Sequence, residues 1–155
     1  MPNTPAQMGL GMTVWTASAE VSQAQRQQAQ AILGALGEEI FVAEERYLDA
    51  ATALSGSGPA YVFLFLEALV DAGVRLGFSR EIARRLVLQT VRGAVEYARA
   101  SPLHLAQLCN MVTTPGGTTA EALAEFEEGA LRAVVQKAVW AAYQRSIALG
   151  GPHSQ

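Results

Sequence analysis

The chain has 155 residues, of which 50% are apolar and 16% charged, and its formal net charge is −3. This composition predicts one folded domain with an apolar core and excludes an intrinsically disordered segment. The chain has a single cysteine, Cys109, which excludes an internal disulfide and a cysteine-rich metal site. Its basic residues are scattered along the sequence, so we expect no surface that binds nucleic acid. With no signal-like start and no run of about 18 uncharged apolar residues, we expect a cytoplasmic protein without a membrane span or metal.

The N-terminal third predicts mixed short elements. Glycines, prolines and β-prone residues predict a loop and then a short extended segment at 13–16. Ser22 is expected to cap a polar helix over 23–36 that stops at a glycine. A short strand at 40–42 and a helix over about 45–53 follow.

The next helix, from Pro59 to about Leu76, is apolar over most of its circumference. Its only charges, Glu67, Asp71 and Arg75, lie four residues apart on one stripe. A helix of this kind is buried on most sides, which a small set of short helices from one chain cannot provide. We therefore expect a homodimer, and the sequence leaves further association into larger oligomers open.

Four further segments predict helices and make the fold class all-α. A helix begins at Ser79, and a short one begins with Ser101 as its cap and a proline at its first position. Thr118 and Glu121 predict a capping box for the next helix, and the last covers about 130–149.

Two glycine-rich loops open onto helices and are the best candidates for a site. In the first, at 55–61, small residues would allow a close approach to a ligand, although an ordinary helix entry fits equally well. In the second, at 113–119, four threonine hydroxyls, two glycine amides and a helix N-terminus suit an anion such as a carboxylate. Helix capping alone would also explain Thr118.

Other features predict no separate chemistry. The second loop lacks the lysine of a P-loop, and Gly9-Leu10-Gly11 lacks the third glycine of a dinucleotide fingerprint. A cofactor, if used, must therefore bind elsewhere. His104 and His153 are expected to face solvent or be hydrogen-bonded, and Cys109 to be a small buried residue.

Residues 52–61 and 111–119, read with 1–6 and 11–15, resemble pyrroline-5-carboxylate reductases. The likeness covers essentially the whole chain in the same order. It implies a helical dimerisation and substrate domain of the type found at the C-terminus of 6-phosphogluconate dehydrogenase.

The resemblance also implies a domain organisation. Residues 1–17 would be the last loop and strand of a Rossmann nucleotide-binding domain, residues 18–150 the helical domain, and residues 151–155 a tail. Most of the nucleotide-binding domain would then be missing, so the chain alone is expected to be inactive.

The implied reaction is the reduction of 1-pyrroline-5-carboxylate to L-proline with NADPH or NADH, which would be bound mainly by the missing domain. The resemblance makes Thr119 the catalytic residue, with its hydroxyl at the ring nitrogen, and places Asn3 and Thr4 beside the nicotinamide. The backbone amides of Gly116, Gly117 and Thr118 in the second loop would hold the substrate carboxylate. The implied substrate-binding residues are Val112, Thr113, Thr114, Gly116, Gly117, Thr118, Thr119, Ser55 and Ser57.

The sequence departs from the family pattern at two places. Cys109 and Asn110 stand where many relatives carry a basic and then an acidic residue, which could change a polar contact near the second loop. Thr114 stands where serine is more usual and keeps the hydroxyl.

Two alternatives stay open. The chain could be a non-enzymatic helical dimerisation module that keeps the loops only for packing. It could also belong to reductases of hydroxy acids that share this architecture, but these typically use a catalytic lysine, and Lys137 lies in the last helix away from both loops.

Overall fold

A computed structural model describes residues 1–150; the expected tail at 151–155, with His153, lies outside the described residues. Most of the described chain is helical, which confirms the all-α class with a short extended segment near the N-terminus. Contacts within the described chain divide it into two units, 1–62 with 135–150, and Phe63–Val134. We call these unit one and unit two.

Unit one begins with a β–α–β arrangement. A 3-10 helix, Thr4–Met8, leads to strand β1 (Gly11–Trp15), helix α1 (Gln23–Gly34) and strand β2 (Gly37–Phe41). The two strands pair in parallel, so α1 is the crossover that connects them. Elements on both sides of the predicted boundary at residue 17 therefore share one small sheet, and that boundary stays a prediction.

Capping and glycine placement set the ends of α1. The Ser22 hydroxyl accepts from the Gln25 amide at 3.3 Å, and the Gln25 side-chain oxygen accepts from the Ser22 amide at 2.9 Å. This capping box confirms the predicted helix start. Gly37 has a φ of +138° and lies against the backbone of Gly11, where a Cβ atom would collide. Glycine is therefore required where the chain leaves α1 and enters β2.

A long helical stretch follows in place of the two helices and open loop that the sequence predicts. Helix α2 (Arg46–Ala51) passes into one π-helical turn (Thr52–Gly56), and α3 (Gly58–Arg75) follows directly. The Ser57 amide donates to the Thr52 carbonyl at 2.8 Å, a bond that spans five residues. We call Thr52–Gly56 the π-turn.

Most of the last helix, α7 (Leu131–Gly150), belongs to unit one. There the Ser146 hydroxyl donates to the Asp49 carboxylate at 2.6 Å and ties α7 to α2.

Unit two contains most of α3 and the helices α4 (Arg80–Ala100), α5 (Leu105–Met111) and α6 (Thr118–Glu128). The Ser79 hydroxyl caps α4 by accepting from the Ile82 amide at 3.3 Å, as predicted.

The predicted start of α5 at Ser101 is wrong. Ser101 ends α4 in an extended conformation, and its hydroxyl accepts from the Leu103 amide at 3.1 Å. His104 caps α5 instead, with Nδ1 accepting from the Ala106 amide at 3.3 Å, so this histidine is hydrogen-bonded as expected.

Helix α3 keeps most of its apolar side chains exposed. Val70 is its only buried residue among those described, while Phe63 and Leu64 are 62% and 70% exposed. By length and composition alone, the continuous stretch Arg46–Arg75 is also long and apolar enough to cross a membrane. The described chain therefore leaves α3 in need of a cover, as the sequence predicts.

Candidate functional site

The second glycine-rich loop, in unit two, is a tight turn. The Gly117 amide donates to the Thr114 carbonyl at 3.0 Å, with Pro115 and Gly116 as the two central residues. Gly116 has a φ of +68°. Proline followed by a residue of positive φ is the signature of a type II turn, so Gly116 is required for its backbone conformation.

Helix α6 starts directly from this turn. Gly117 is its N-cap, with extended backbone at φ −84° and ψ 165°, and no side chain caps the helix. The predicted capping box is therefore wrong, because Thr118 is already the first helical residue and its hydroxyl lies too far along to act as a cap. The first amides of α6, those of Thr118, Thr119 and Ala120, consequently lack intrahelical acceptors and a side-chain cap.

The threonines of this loop differ in their bonding. The Thr113 hydroxyl donates to the Cys109 carbonyl at 2.7 Å, which ties the loop to α5. The hydroxyls of Thr114, Thr118 and Thr119 make no hydrogen bond with any residue that the structure describes. Thr119 is half-buried and Thr118 exposed. Three hydroxyls are thus open at the head of α6.

The electrostatic character of the loop comes from backbone dipoles. Residues 113–119 contain no ionisable side chain, and open amides at a helix N-terminus carry partial positive charge. Glu121 is the only acidic residue in the first turn of α6. Val112 is 65% exposed beside the loop and adds apolar surface. Such a site can hold a small anion and present hydroxyl groups to it.

The first glycine-rich loop, in unit one, is the π-turn and its exit. A π-turn shifts the backbone bonding by one residue and leaves carbonyls without their usual partners. Three side chains donate to carbonyls in or beside this turn: the Ser55 hydroxyl to the Ala51 carbonyl at 3.0 Å, the Tyr61 hydroxyl to the Ala53 carbonyl at 3.0 Å, and the Asn3 side-chain nitrogen to the Ser55 carbonyl at 3.1 Å. The π-turn is therefore held by three separate side-chain donors.

These bonds separate the two serines expected to bind substrate. The Ser55 hydroxyl is occupied as a donor within the π-turn, while the Ser57 hydroxyl has no partner among residues 1–150. Ser57 ends the π-turn and stands two residues before Pro59 at the start of α3. Ser57 is thus the hydroxyl of this loop that is open to a ligand.

The two residues expected beside the cofactor lie at the same end of unit one. Asn3 uses both ends of its side-chain amide, since its oxygen accepts from the Met12 amide at 2.9 Å while its nitrogen donates to Ser55. Thr4 begins the 3-10 helix, and its exposed hydroxyl has no partner in the described part of the chain. One open hydroxyl offers a single contact to a dinucleotide.

The structure thus brings Asn3 into contact with Ser55 and gathers the second-loop residues at one turn. Sequence reasoning missed the π-turn and the role of Tyr61. The only signal was a tyrosine closing the glycine-rich segment, eight residues after Ala53. No cluster of histidine, cysteine or acidic side chains suitable for a metal occurs within residues 1–150.

Comparison with known proteins agrees with this arrangement. The family model for pyrroline-5-carboxylate reductase dimerisation matches residues 45–149. Pyrroline-5-carboxylate reductases from Pseudomonas aeruginosa and Synechocystis are each 47% identical, over 96% and 97% of this chain. The chain spans 55% and 56% of those two proteins, about half of their length.

Solved structures show the same similarity. A crystal structure of the Plasmodium falciparum pyrroline carboxylate reductase with NADP bound matches with a TM-score of 0.93 and 40% identity, covering 97% of this chain and 62% of that one. A pyrroline-5-carboxylate reductase from Coxiella burnetii matches with a TM-score of 0.90 and 42% identity, covering 94% and 54%.

Proposed function

Because this chain belongs to the pyrroline-5-carboxylate reductase family, we propose that it is the dimerisation and substrate-binding half of an enzyme that reduces 1-pyrroline-5-carboxylate to L-proline. The observation that carries the proposal is the open N-terminus of α6 directly after a type II turn, at the loop that the family resemblance assigns to substrate. The free thiol of Cys109 is consistent with a cytoplasmic location.

The substrate carboxylate would lie against the backbone of the second loop. Of the three amides assigned to it by resemblance, that of Gly117 is engaged within the turn, which leaves those of Gly116 and Thr118. The Thr119 amide is the neighbouring open donor at the head of α6. The partial positive charge of these groups favours a carboxylate without a lysine or arginine.

Thr119 would orient the imine. Its half-buried hydroxyl has no partner among the described residues, so it can hydrogen-bond the ring nitrogen and hold the proton that this atom carries in the product. Thr113 and Val112 would line the site. The resemblance also assigns substrate to the first loop, where the open hydroxyl is that of Ser57.

NADPH or NADH would supply the hydride. In this chain Thr4 offers an exposed hydroxyl, and Asn3, whose side chain is already bonded to Ser55, offers backbone atoms beside it. These groups fit a contact to one end of the cofactor only. The 155-residue chain by itself is therefore expected to show no turnover with NADPH and the imine, and clear activity would contradict this division of labour.

The role of Thr119 is tested by the variants Thr119→Val and Thr119→Ser. Both are assayed in a catalytically active protein, in which this chain is joined to a nucleotide-binding domain. Losing a hydrogen bond to a charged group costs about 1.5–3 kcal/mol, or roughly 10- to 150-fold in kcat/KM. Serine keeps the hydroxyl and should retain most of the activity. Unchanged kinetics in Thr119→Val would instead favour a packing role for the loop, in a non-enzymatic dimerisation module.

We further propose a homodimer that covers α3. Phe63, Leu64 and Phe65 follow one another on this helix and are 62%, 70% and 42% exposed, and a contiguous apolar patch of this kind marks a surface for a protein partner. Sedimentation of the purified chain should give a dimer or a larger multiple, and a strictly monomeric species would contradict the proposal.

A further inference from the structure

Asn3 links three segments of unit one through one side chain. Its oxygen accepts from the Met12 amide on β1 at 2.9 Å, and its nitrogen donates to the Ser55 carbonyl in the π-turn at 3.1 Å. Asn3 itself directly precedes the 3-10 helix. The sheet, the π-turn and the segment expected beside the cofactor are thereby fixed to one another.

The Ser55 carbonyl lacks its usual helical donor, because the residue four positions later is Pro59, which has no N–H. Ser55 and Asn3 are both half-buried, and they stand 52 residues apart in the chain. Leaving such a carbonyl without a donor costs more than a hydrogen bond at an exposed site contributes. The bond from Asn3 therefore supplies the donor that Pro59 cannot, and it fixes the end of the π-turn to the segment that precedes the 3-10 helix.

The residue whose position depends most directly on the π-turn is Ser57. Its amide makes the five-residue bond to the Thr52 carbonyl at 2.8 Å, so the same turn that Asn3 stabilises also orients Ser57. The Ser57 hydroxyl is open among the described residues, whereas the hydroxyls of Ser55 and Tyr61 are occupied in holding the turn.

We propose that Asn3 is a positioning residue for the substrate site, which acts through the Ser55 carbonyl and the π-turn to fix the Ser57 hydroxyl. Its side-chain amide is used within the chain, so its function differs from that of a cofactor contact. The proposal rests on the proposed function in one respect, namely that the first loop borders the substrate.

The first test needs no enzymatic activity. Asn3→Asp keeps the acceptor for Met12 but replaces the donor to Ser55 with a carboxylate oxygen, which faces a carbonyl. Amide hydrogen exchange at Ser57 should then become about three- to tenfold faster at pH 7, as expected for the loss of one hydrogen bond. Gln28→Glu makes the same chemical change on an exposed face of α1 and should leave Ser57 unchanged.

The pH dependence of Asn3→Asp separates a specific bond from general destabilisation. A protonated aspartate again has one donor and one acceptor, as asparagine has. Because a carbonyl faces the introduced carboxyl, its pKa should lie above the ordinary value of about 3.9. The ratio of Ser57 exchange between variant and wild type should therefore return towards one as the pH falls to about 4. A ratio that stays constant with pH would overturn the proposal.

Asn3→Ala removes the same donor without adding a charge, and it should also speed amide exchange at Ser57. Unchanged exchange of the α6 amides would show that the variant chain is folded. Protection of Ser57 equal to that of the wild type in both variants would overturn the proposal.

Steady-state kinetics of this chain joined to a nucleotide-binding domain complete the test. Asn3→Ala should raise the KM for the imine several-fold and leave the KM for the cofactor unchanged. A change confined to the cofactor KM would make Asn3 a cofactor contact and refute the positioning role. If this chain joined to a nucleotide-binding domain reduces no imine at all, the proposed function fails, while the exchange measurements still decide the role of Asn3.

Discussion

Removing the Tyr61 hydroxyl should destabilise the π-turn by a predictable amount. In the folded chain this hydroxyl donates to the Ala53 carbonyl at 3.0 Å, and Ala53 is only 1% exposed. Tyr61→Phe keeps the ring but leaves a buried carbonyl without a donor, which costs about 1–3 kcal/mol. Because Tyr61 is half-buried and water reaches part of the site, we expect about 1–2 kcal/mol.

Urea unfolding measures this loss directly. Wild type and Tyr61→Phe are compared at one protein concentration, because association of chains adds to the apparent stability. Tyr97→Phe is the matched control, since Tyr97 is 55% exposed on α4 and its hydroxyl has no partner among the described residues. The midpoint should fall for Tyr61→Phe and stay constant for Tyr97→Phe. Equal midpoints for both variants would refute the assignment of Tyr61 as a donor that holds the π-turn.

Two further substitutions probe β1 and the second loop. Thr13 is 2% exposed, and its hydroxyl has no hydrogen-bond partner within residues 1–150, so Thr13→Val should raise the free energy of unfolding by about 1 kcal/mol. A loss of stability in the same urea experiment would mean that the hydroxyl is bonded. At Gly117 a Cβ atom would collide with the Thr114 hydroxyl and lie 3.1 Å from the Thr114 carbonyl, so Gly117→Ala should weaken L-proline binding, measured by calorimetry, about tenfold. Adding Thr114→Ala should recover part of the affinity, because it removes the hydroxyl that the new Cβ atom meets. Wild-type affinity in Gly117→Ala alone would show that the turn accommodates a Cβ atom without loss of binding.

Helix starts were predictable from sequence where a serine directly precedes the first helical residue and its hydroxyl caps the helix. Ser22 and Ser79 fulfil this condition, and the structure has both caps. The predictions at Ser101 and Thr118 were wrong for a shared reason: each residue has a hydroxyl near a helix start, but the backbone enters the helix elsewhere. Hydroxyl-bearing residues favour several local bonds, and the chain around them decides which one forms.

The π-turn could not be predicted, because it depends on partners distant in sequence. A segment such as Thr52–Pro59 reads as a loop between helices on composition alone. Donors from outside the turn bind its carbonyls, namely Tyr61 and Asn3, and Asn3 lies 52 residues from Ser55. The second loop was easier to predict, since proline followed by two glycines specifies a local turn that needs no distant contact.

The charges on α3 indicate what covers its apolar side chains. A second protein chain can bury Phe63 and Leu64 while leaving the stripe of Glu67, Asp71 and Arg75 in water, whereas a bilayer would surround the helix. Each carboxylate or guanidinium at the centre of a membrane costs about 2.5–3.5 kcal/mol. In this chain Asp71 instead pairs with Arg80 at 2.7 Å, and both side chains are more than half exposed. A helix with one wet, ion-paired stripe and three apolar sides is suited to a protein interface, which agrees with a family defined by its dimerisation domain.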